Sequence, residues 1–135
     1  MSKPVPPIQK YMTTNPETVS PLDSIASAAK LMRTAQVRHL PVVEGTRVVG
    51  LLSERDIALV EGLVGVDATK LSVKDAMARE PYTVSPDAPL TEVAQAMAGN
   101  KYGSAIVVQN GKVVGIFTTV DACKVLVEVF ETRLR

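Results

Sequence analysis

The 135-residue chain has one cysteine, one histidine and no tryptophan, and aromatic residues make up only 4% of it. A lone Cys123 excludes an internal disulfide. With His39 as the only imidazole, no zinc-binding set of His and Cys ligands can be assembled, and no metal is expected. Cys123 is expected to be a small buried packing residue of a helix, as free cysteines usually are. An excess of either charge is also missing: 15 Lys and Arg against 14 Asp and Glu give a net charge of +1. No broad field draws the chain to nucleic acid or to an anionic membrane, so any anion site must be local. Tyr11, Tyr82, Tyr102, Phe117 and Phe130 are the whole aromatic set, too few for a base-stacking platform, and no nucleic-acid partner is expected. The opening MSKPVPPIQKYM has no apolar run of signal-peptide length and no later run approaches a membrane span, so a cytoplasmic location without membrane contact is expected. Also missing are a Gly-x-x-x-x-Gly-Lys-[Ser/Thr] loop, a Gly-x-Gly-x-x-Gly turn after a strand, and a second His or Cys to activate a nucleophile. No catalytic residue is assigned and an enzyme is not expected.

What the sequence does have is repetition. Hydrophobic residues form 46% of the chain, enough for one compact core or for two small units sharing one. Thr-Val-Ser-Pro occurs at 18–21 and again at 83–86, a shift of 65. At that shift residues 12–57 lie over 77–122 without a gap and share 14 identities in 46 positions, among them Met12/Met77, Val42/Val107, Gly50/Gly115 and Asp56/Asp121. Unrelated sequences would share roughly three, so the fixed period marks a duplicated unit.

Each copy reads the same way. A Thr-Val strand ended by Ser-Pro precedes a helix whose apolar stripe is Ile25, Ala28, Ala29, Met32 and Ala35 in the first copy and Leu90, Val93, Ala94 and Met97 in the second. Ser24 and Thr91 lie near the two helix starts as candidate caps. LPVV (40–43) and AIVV (105–108) then lead through EGTR and QNGK to VVGLL (48–52) and VVGIF (113–117). Asn110-Gly111 is a strong hairpin signal, because both residues tolerate positive φ. A second helix begins near Ser53 or Thr118, and the last one continues an apolar stripe through Val125, Leu126, Val129 and Phe130 that either packs on the body of the chain or awaits a partner. A unit of about 50 residues cannot bury its apolar face well alone, so the copies are expected to pack together.

Two stretches carry binding chemistry. Ser53-Glu54-Arg55-Asp56 and Thr118-Thr119-Val120-Asp121 put a hydroxyl and a carboxylate three residues apart where a helix begins. The carboxylate can accept two hydrogen bonds from a ribose diol, and the helix start favours a nearby phosphate. The same [Ser/Thr]-x-x-Asp pattern is also a helix cap, and the two roles are compatible. In VRHLPVV, Pro41 lacks a backbone N–H, so the strand edge at Arg38 to Leu40 can offer its remaining backbone groups to a planar base. Arg38 has the two-donor fork that grips phosphate, with an ordinary surface charge as the alternative, and His39 is either a neighbouring ligand contact or a partly buried, hydrogen-bonded ring.

The gapless duplication, with RHLPVV leading into RVVGLLSERDI and GSAIVV into KVVGIFTTVDA, resembles a pair of cystathionine β-synthase (CBS) domains, the tandem called a Bateman module, over roughly residues 8–131. The resemblance implies an α+β fold of two β-α-β-β-α repeats packed together through their sheets, with the first repeat at 8–61, a linker at 62–72 and the second repeat at 73–131. It further implies a regulatory module that binds an adenine nucleotide (AMP, ADP or ATP) or S-adenosylmethionine in the cleft between the repeats, with no cofactor required. By the resemblance, Thr18, Val19 and the segment Arg38, His39, Leu40 and Pro41 hold adenine and phosphate, while Thr118 and Asp121 hold the ribose. A second, symmetrical site joins Thr83, Val84, Gly103, Ser104 and Ile106 to Ser53, Arg55 and Asp56. There Gly103-Ser104 replaces the Arg-His pair and Ile106 stands for Pro41, so this site is expected to be weak or empty. No enzyme accompanies the pair, so the chain resembles a free-standing module, expected to form a homodimer and to act on a separate target protein. The alternative is a structural module for dimerisation or scaffolding with empty clefts.

Overall fold

The computed structural model describes residues 4–133. The fold is α+β, with helices α1 (Ile25–Ala35), α2 (Glu54–Glu61), α3 (Leu90–Asn100) and α4 (Thr119–Arg133), and strands β1 (Thr13–Thr14), β2 (His39–Glu44), β3 (Arg47–Ser53), β4 (Thr83–Val84), β5 (Ser104–Gln109) and β6 (Lys112–Thr118). The chain divides into two compact units. One is formed by 16–81, the other by the segment ending at Asn15 together with the segment beginning at Tyr82.

In the first of these units α1 starts at Ser24, whose hydroxyl accepts the Ser27 N–H at 3.0 Å, as its position in the sequence predicts. It ends at Gln36, held at φ 57° in the left-handed region that terminates helices. Ile25, Ala28 and Met32, spaced three and four apart, form the buried face and pack with Val19, Leu40, Val42, Leu52, Ile57 and Val73. The antiparallel pair β2–β3 supplies that layer, with His39 opposite Ser53, Leu40 opposite Leu52 and a register shift between Val42 and Val43. Val19 adds a parallel bridge to Val42, and Ala78 an antiparallel bridge to Leu51.

The other unit repeats this plan. β5 and β6 pair with Ser104 opposite Thr118, Ile106 opposite Ile116 and a register shift between Val107 and Val108, while β4 lies parallel to β5 and β1 antiparallel to β6. Asn110 and Gly111 take φ 53° and 77° in the hairpin, as the sequence requires. The core is Ile8, Val93, Met97, Ala105, Val107 and Phe117. One cap differs from expectation: α3 begins after Pro89, which has no side chain to accept a hydrogen bond, and Thr91 lies inside the helix. Proline's fixed φ suits the chain's entry into the helix, but no side chain caps this helix start. Cys123 is exposed rather than buried. On α4 the inward positions are the buried Asp121 and the half-buried Ala122 and Val125, which leaves Cys123 on the solvent side.

The segment that completes each sheet comes from the start of the other repeat. Thr13 and Thr14, which precede the first repeat's Thr18-Val19, pair with Ile116 and Gly115, and Ile8 is fully buried in the second repeat's core. At the shift of 65 the matching residues are Ala78, which bridges Leu51, and Val73, fully buried in the first repeat's core. The repeat in sequence and the compact unit in space are therefore cut at different places.

Candidate functional site

The chemistry proposed for the first unit gathers at the start of α2. Pairing of His39 with Ser53 and a 2.8 Å bond from the Glu54 N–H to the Arg38 carbonyl set Arg38-His39 against the Ser53-to-Asp56 turn. That turn is a complete capping box: the Ser53 Oγ accepts the Asp56 N–H at 3.0 Å, and the Asp56 Oδ2 accepts the Ser53 N–H at 3.0 Å. Arg38 and Arg55 are exposed, while His39 and Asp56 are half-buried. Burial lowers the His39 pKa below its usual value, and the charge of Arg38 acts in the same direction, against the opposing pull of the Asp56 and Glu54 carboxylates. A neutral imidazole is thus favoured beside one positive and two negative side chains.

Leu40 and Pro41 are fully buried, so their side chains belong to the core and only their backbone can meet a ligand. Val19 is buried and Thr18 exposed. The Val19 N–H donates to the Pro41 carbonyl at 3.1 Å and the Val43 N–H to the Val19 carbonyl at 2.9 Å. In the second repeat the Ile106 N–H donates to the Tyr82 carbonyl at 2.9 Å. Pro41, in the same place, has no N–H to give Glu17, which is why Thr83-Val84 forms a strand while Val19 makes a single bridge.

At the start of α4, Asp121 is buried, only 7% exposed. Its Oδ2 accepts the Thr118 N–H at 3.0 Å and the Thr118 hydroxyl at 3.2 Å, and the Thr118 Oγ1 accepts the Asp121 N–H at 3.3 Å. Thr13 joins them: its hydroxyl reaches Oδ1 at 3.2 Å and Oδ2 at 3.3 Å. Gly103 is half-buried and its carbonyl accepts the Thr119 N–H at 3.2 Å, the counterpart of the Arg38 bond. Ser104, across from Thr118, is 2% exposed, and among the described residues its hydroxyl has no hydrogen-bond partner. Thr83 is exposed, Val84 half-buried and Ile106 fully buried.

Thr13 is the residue that sequence reasoning missed. It stands over Ala78 at the shift of 65, so the duplication could not flag it. A cavity of about 380 Å³ lies elsewhere in this unit, lined by Gln9, Ser85, Pro86, Asp87, Val108, Gln109 and Asn110. Since β5 runs from Ser104 to Gln109, the cavity sits at the strand end remote from Gly103-Ser104 and includes none of the expected ligand contacts. Among the described residues no cluster of three His, Cys, Asp or Glu could hold a metal ion. Among the described residues no helix is long and apolar enough to cross a membrane.

The model of the CBS domain matches the chain twice, over residues 8–62 and 73–128. The chain belongs to the CBS domain family. This tandem CBS pair is 34% identical over 122 residues to an inosine-5'-monophosphate dehydrogenase of Korarchaeum cryptofilum, covering 90% of the chain but only 24% of the dehydrogenase. It is 34% identical over 114 residues to the CBS domain-containing protein YhcV of Bacillus subtilis, with 84% of this chain and 81% of YhcV covered. Among solved structures, the CBS domain pair of protein MJ0100, in complex with 5'-methylthioadenosine and S-adenosyl-L-methionine, superposes with a TM-score of 0.82 at 27% identity, covering 91% of this chain and 97% of that one.

Proposed function

We propose that this CBS pair is a non-catalytic regulatory module that binds an adenosyl ligand, an adenine nucleotide or a 5'-thioadenosyl compound, and alters the surface offered to a separate target protein. The observation that carries the reading is the Ser/Thr-capped aspartate that recurs at the start of α2 and of α4, a carboxylate held at a helix start, which is the kind of group that accepts ribose hydroxyls where its oxygens are free. Arg38, exposed beside the α2 turn, is a two-donor group for a phosphate. The adenosyl complexes of the MJ0100 pair support the choice of ligand class. Thr18, Val19 and the backbone of His39 to Pro41 are proposed to face the base, with Thr83, Val84 and Gly103 to Ile106 as their counterparts in the second repeat.

The test is a thermal-shift panel of AMP, ADP, ATP, S-adenosylmethionine and 5'-methylthioadenosine. A ligand at about 100 times its dissociation constant adds roughly 2.7 kcal/mol of stability, enough for a clear rise in melting temperature. Silence across the whole panel would favour the second reading, a dimerisation or scaffolding module. That reading has its own support in the exposed Leu126 and Phe130 of α4.

A further inference from the structure

The two motif aspartates, each the last residue of a [Ser/Thr]-x-x-Asp turn at the shift of 65, are unequally engaged. Asp56 accepts one bond, from the Ser53 N–H to Oδ2, and among the described residues its Oδ1 has no donor. Asp121 accepts from the Thr118 N–H, the Thr118 hydroxyl and the Thr13 hydroxyl, the last placed to share its single proton between Oδ1 and Oδ2. A carboxylate offers about four acceptor positions, so most of Asp56 is open and most of Asp121 is taken. Exposure follows the same order: Asp56 is half-buried and Asp121 buried.

The cause lies in one position of the exchanged segments. Thr13 stands opposite Ile116, and its counterpart Ala78 stands opposite Leu51, the residue equivalent to Ile116. The backbone arrangement is shared, but only Thr13 carries a hydroxyl. We propose that Thr13 is a positioning residue that closes the Asp121 carboxylate, leaving Asp56 as the aspartate open to the vicinal diol of a ribose. The inference rests on the adenosyl-binding reading and assigns its diol contact. A ribose approaching Asp121 has to displace a bond already made, while at Asp56 it meets an unused oxygen beside His39 and Arg38 of the same unit.

Calorimetry with AMP and 2'-deoxy-AMP as probes tests it, because the ratio of their affinities reports the diol contact and a merely structural role of Thr13 would not move it. The wild-type chain is expected to prefer AMP. Asp56→Asn removes that preference and weakens AMP by about tenfold, equivalent to about 1.4 kcal/mol. Adding Thr13→Val to Asp56→Asn restores a preference for AMP by opening Asp121, whereas Thr13→Ser in the same background, keeping the hydroxyl, restores nothing. Neither site of the double variant supplies the cap of α4, so the comparison does not depend on Asp121→Asn folding. The proposal is overturned if Asp56→Asn keeps the AMP preference, or if Thr13→Val fails to restore it. Binding of neither AMP, S-adenosylmethionine nor 5'-methylthioadenosine to the wild type overturns the adenosyl reading itself.

Discussion

The sulfur of Met77 occupies the place where a β-carbon on Gly50 would have to stand: such an atom would lie 2.5 Å from Sδ and 2.7 Å from the Ala78 carbonyl oxygen. Met12 and the Thr13 carbonyl press on Gly115 in the same way. The two glycines survive in both copies of VVG because the exchanged segment crosses each strand there. Gly50→Ala is expected to destabilise the fold by about 1 to 3 kcal/mol, as overpacking does, read from the midpoint of urea unfolding. Met77→Ala in the same chain should recover only part of the loss, since the carbonyl of Ala78 is backbone and cannot swing aside. A neutral Gly50→Ala would show that the segment does not lie on the strand.

His39 predicts a specific acid arm of stability. Its pKa in the folded chain is lowered, chiefly by burial, while in the unfolded chain it returns to about 6.5. A lowered pKa means the unfolded state takes up the proton first as pH falls. The contribution is therefore fully present above about 6.5 and is lost as pH drops toward the folded value. His39→Gln should flatten the fall in stability just below pH 6.5 without changing the carboxylate-driven loss at lower pH, measured by denaturation at stepped pH. Identical pH profiles for the two proteins would place His39 in solvent.

The fold was legible where both copies obeyed one local rule. Asn110-Gly111 announced its hairpin through residues that accept positive φ, and Ile25, Ala28 and Met32 announced a helix face by spacing alone. The exchange of leading segments was not legible, because 8–11 and 73–76 share no identical residue and Ile8 and Val73 agree only in being apolar. Of the candidate site, the capping role of Ser53-Asp56 and Thr118-Asp121 could be read directly, since it lies within four consecutive residues. The contact of Thr13 with Asp121 spans 108 residues and has no counterpart in the first repeat, so neither local pattern nor repetition could signal it. The exposure of Cys123 was missed for a related reason: the general burial of free cysteine says nothing about which face of α4 turns inward.

Arg38 predicts a separation of ligand parts. Its side chain is exposed at the mouth of β2, and a guanidinium meets phosphate through two charge-assisted bonds. Arg38→Ala should weaken AMP by about tenfold while changing adenosine affinity little, and the AMP deficit should shrink as salt is raised because an exposed ionic contact is screened. Calorimetry at two ionic strengths measures both. Equal losses for AMP and adenosine would mean that Arg38 shapes the base contact and does not hold phosphate.

The outer face of α4 predicts a homodimer. Leu126 and Phe130 are 56% and 55% exposed and one helical turn apart, with Val127 and Val129 exposed beside them. An apolar row of this kind on one helix is a cost in water, and a second copy presenting the same row would cover it through a two-fold interface. A stable interface of that class buries about 1,200 to 2,000 Å² in total, more than one helix supplies, so neighbouring surface must take part. Lysine at both positions (Leu126→Lys with Phe130→Lys) should give a monomer by light scattering while circular dichroism stays unchanged. The positive charges suit the C-terminal half of the helix, so lost association would not be lost helix. A wild-type chain that scatters as a monomer at high micromolar concentration removes the dimer, and a double-lysine variant that still pairs moves the interface off α4.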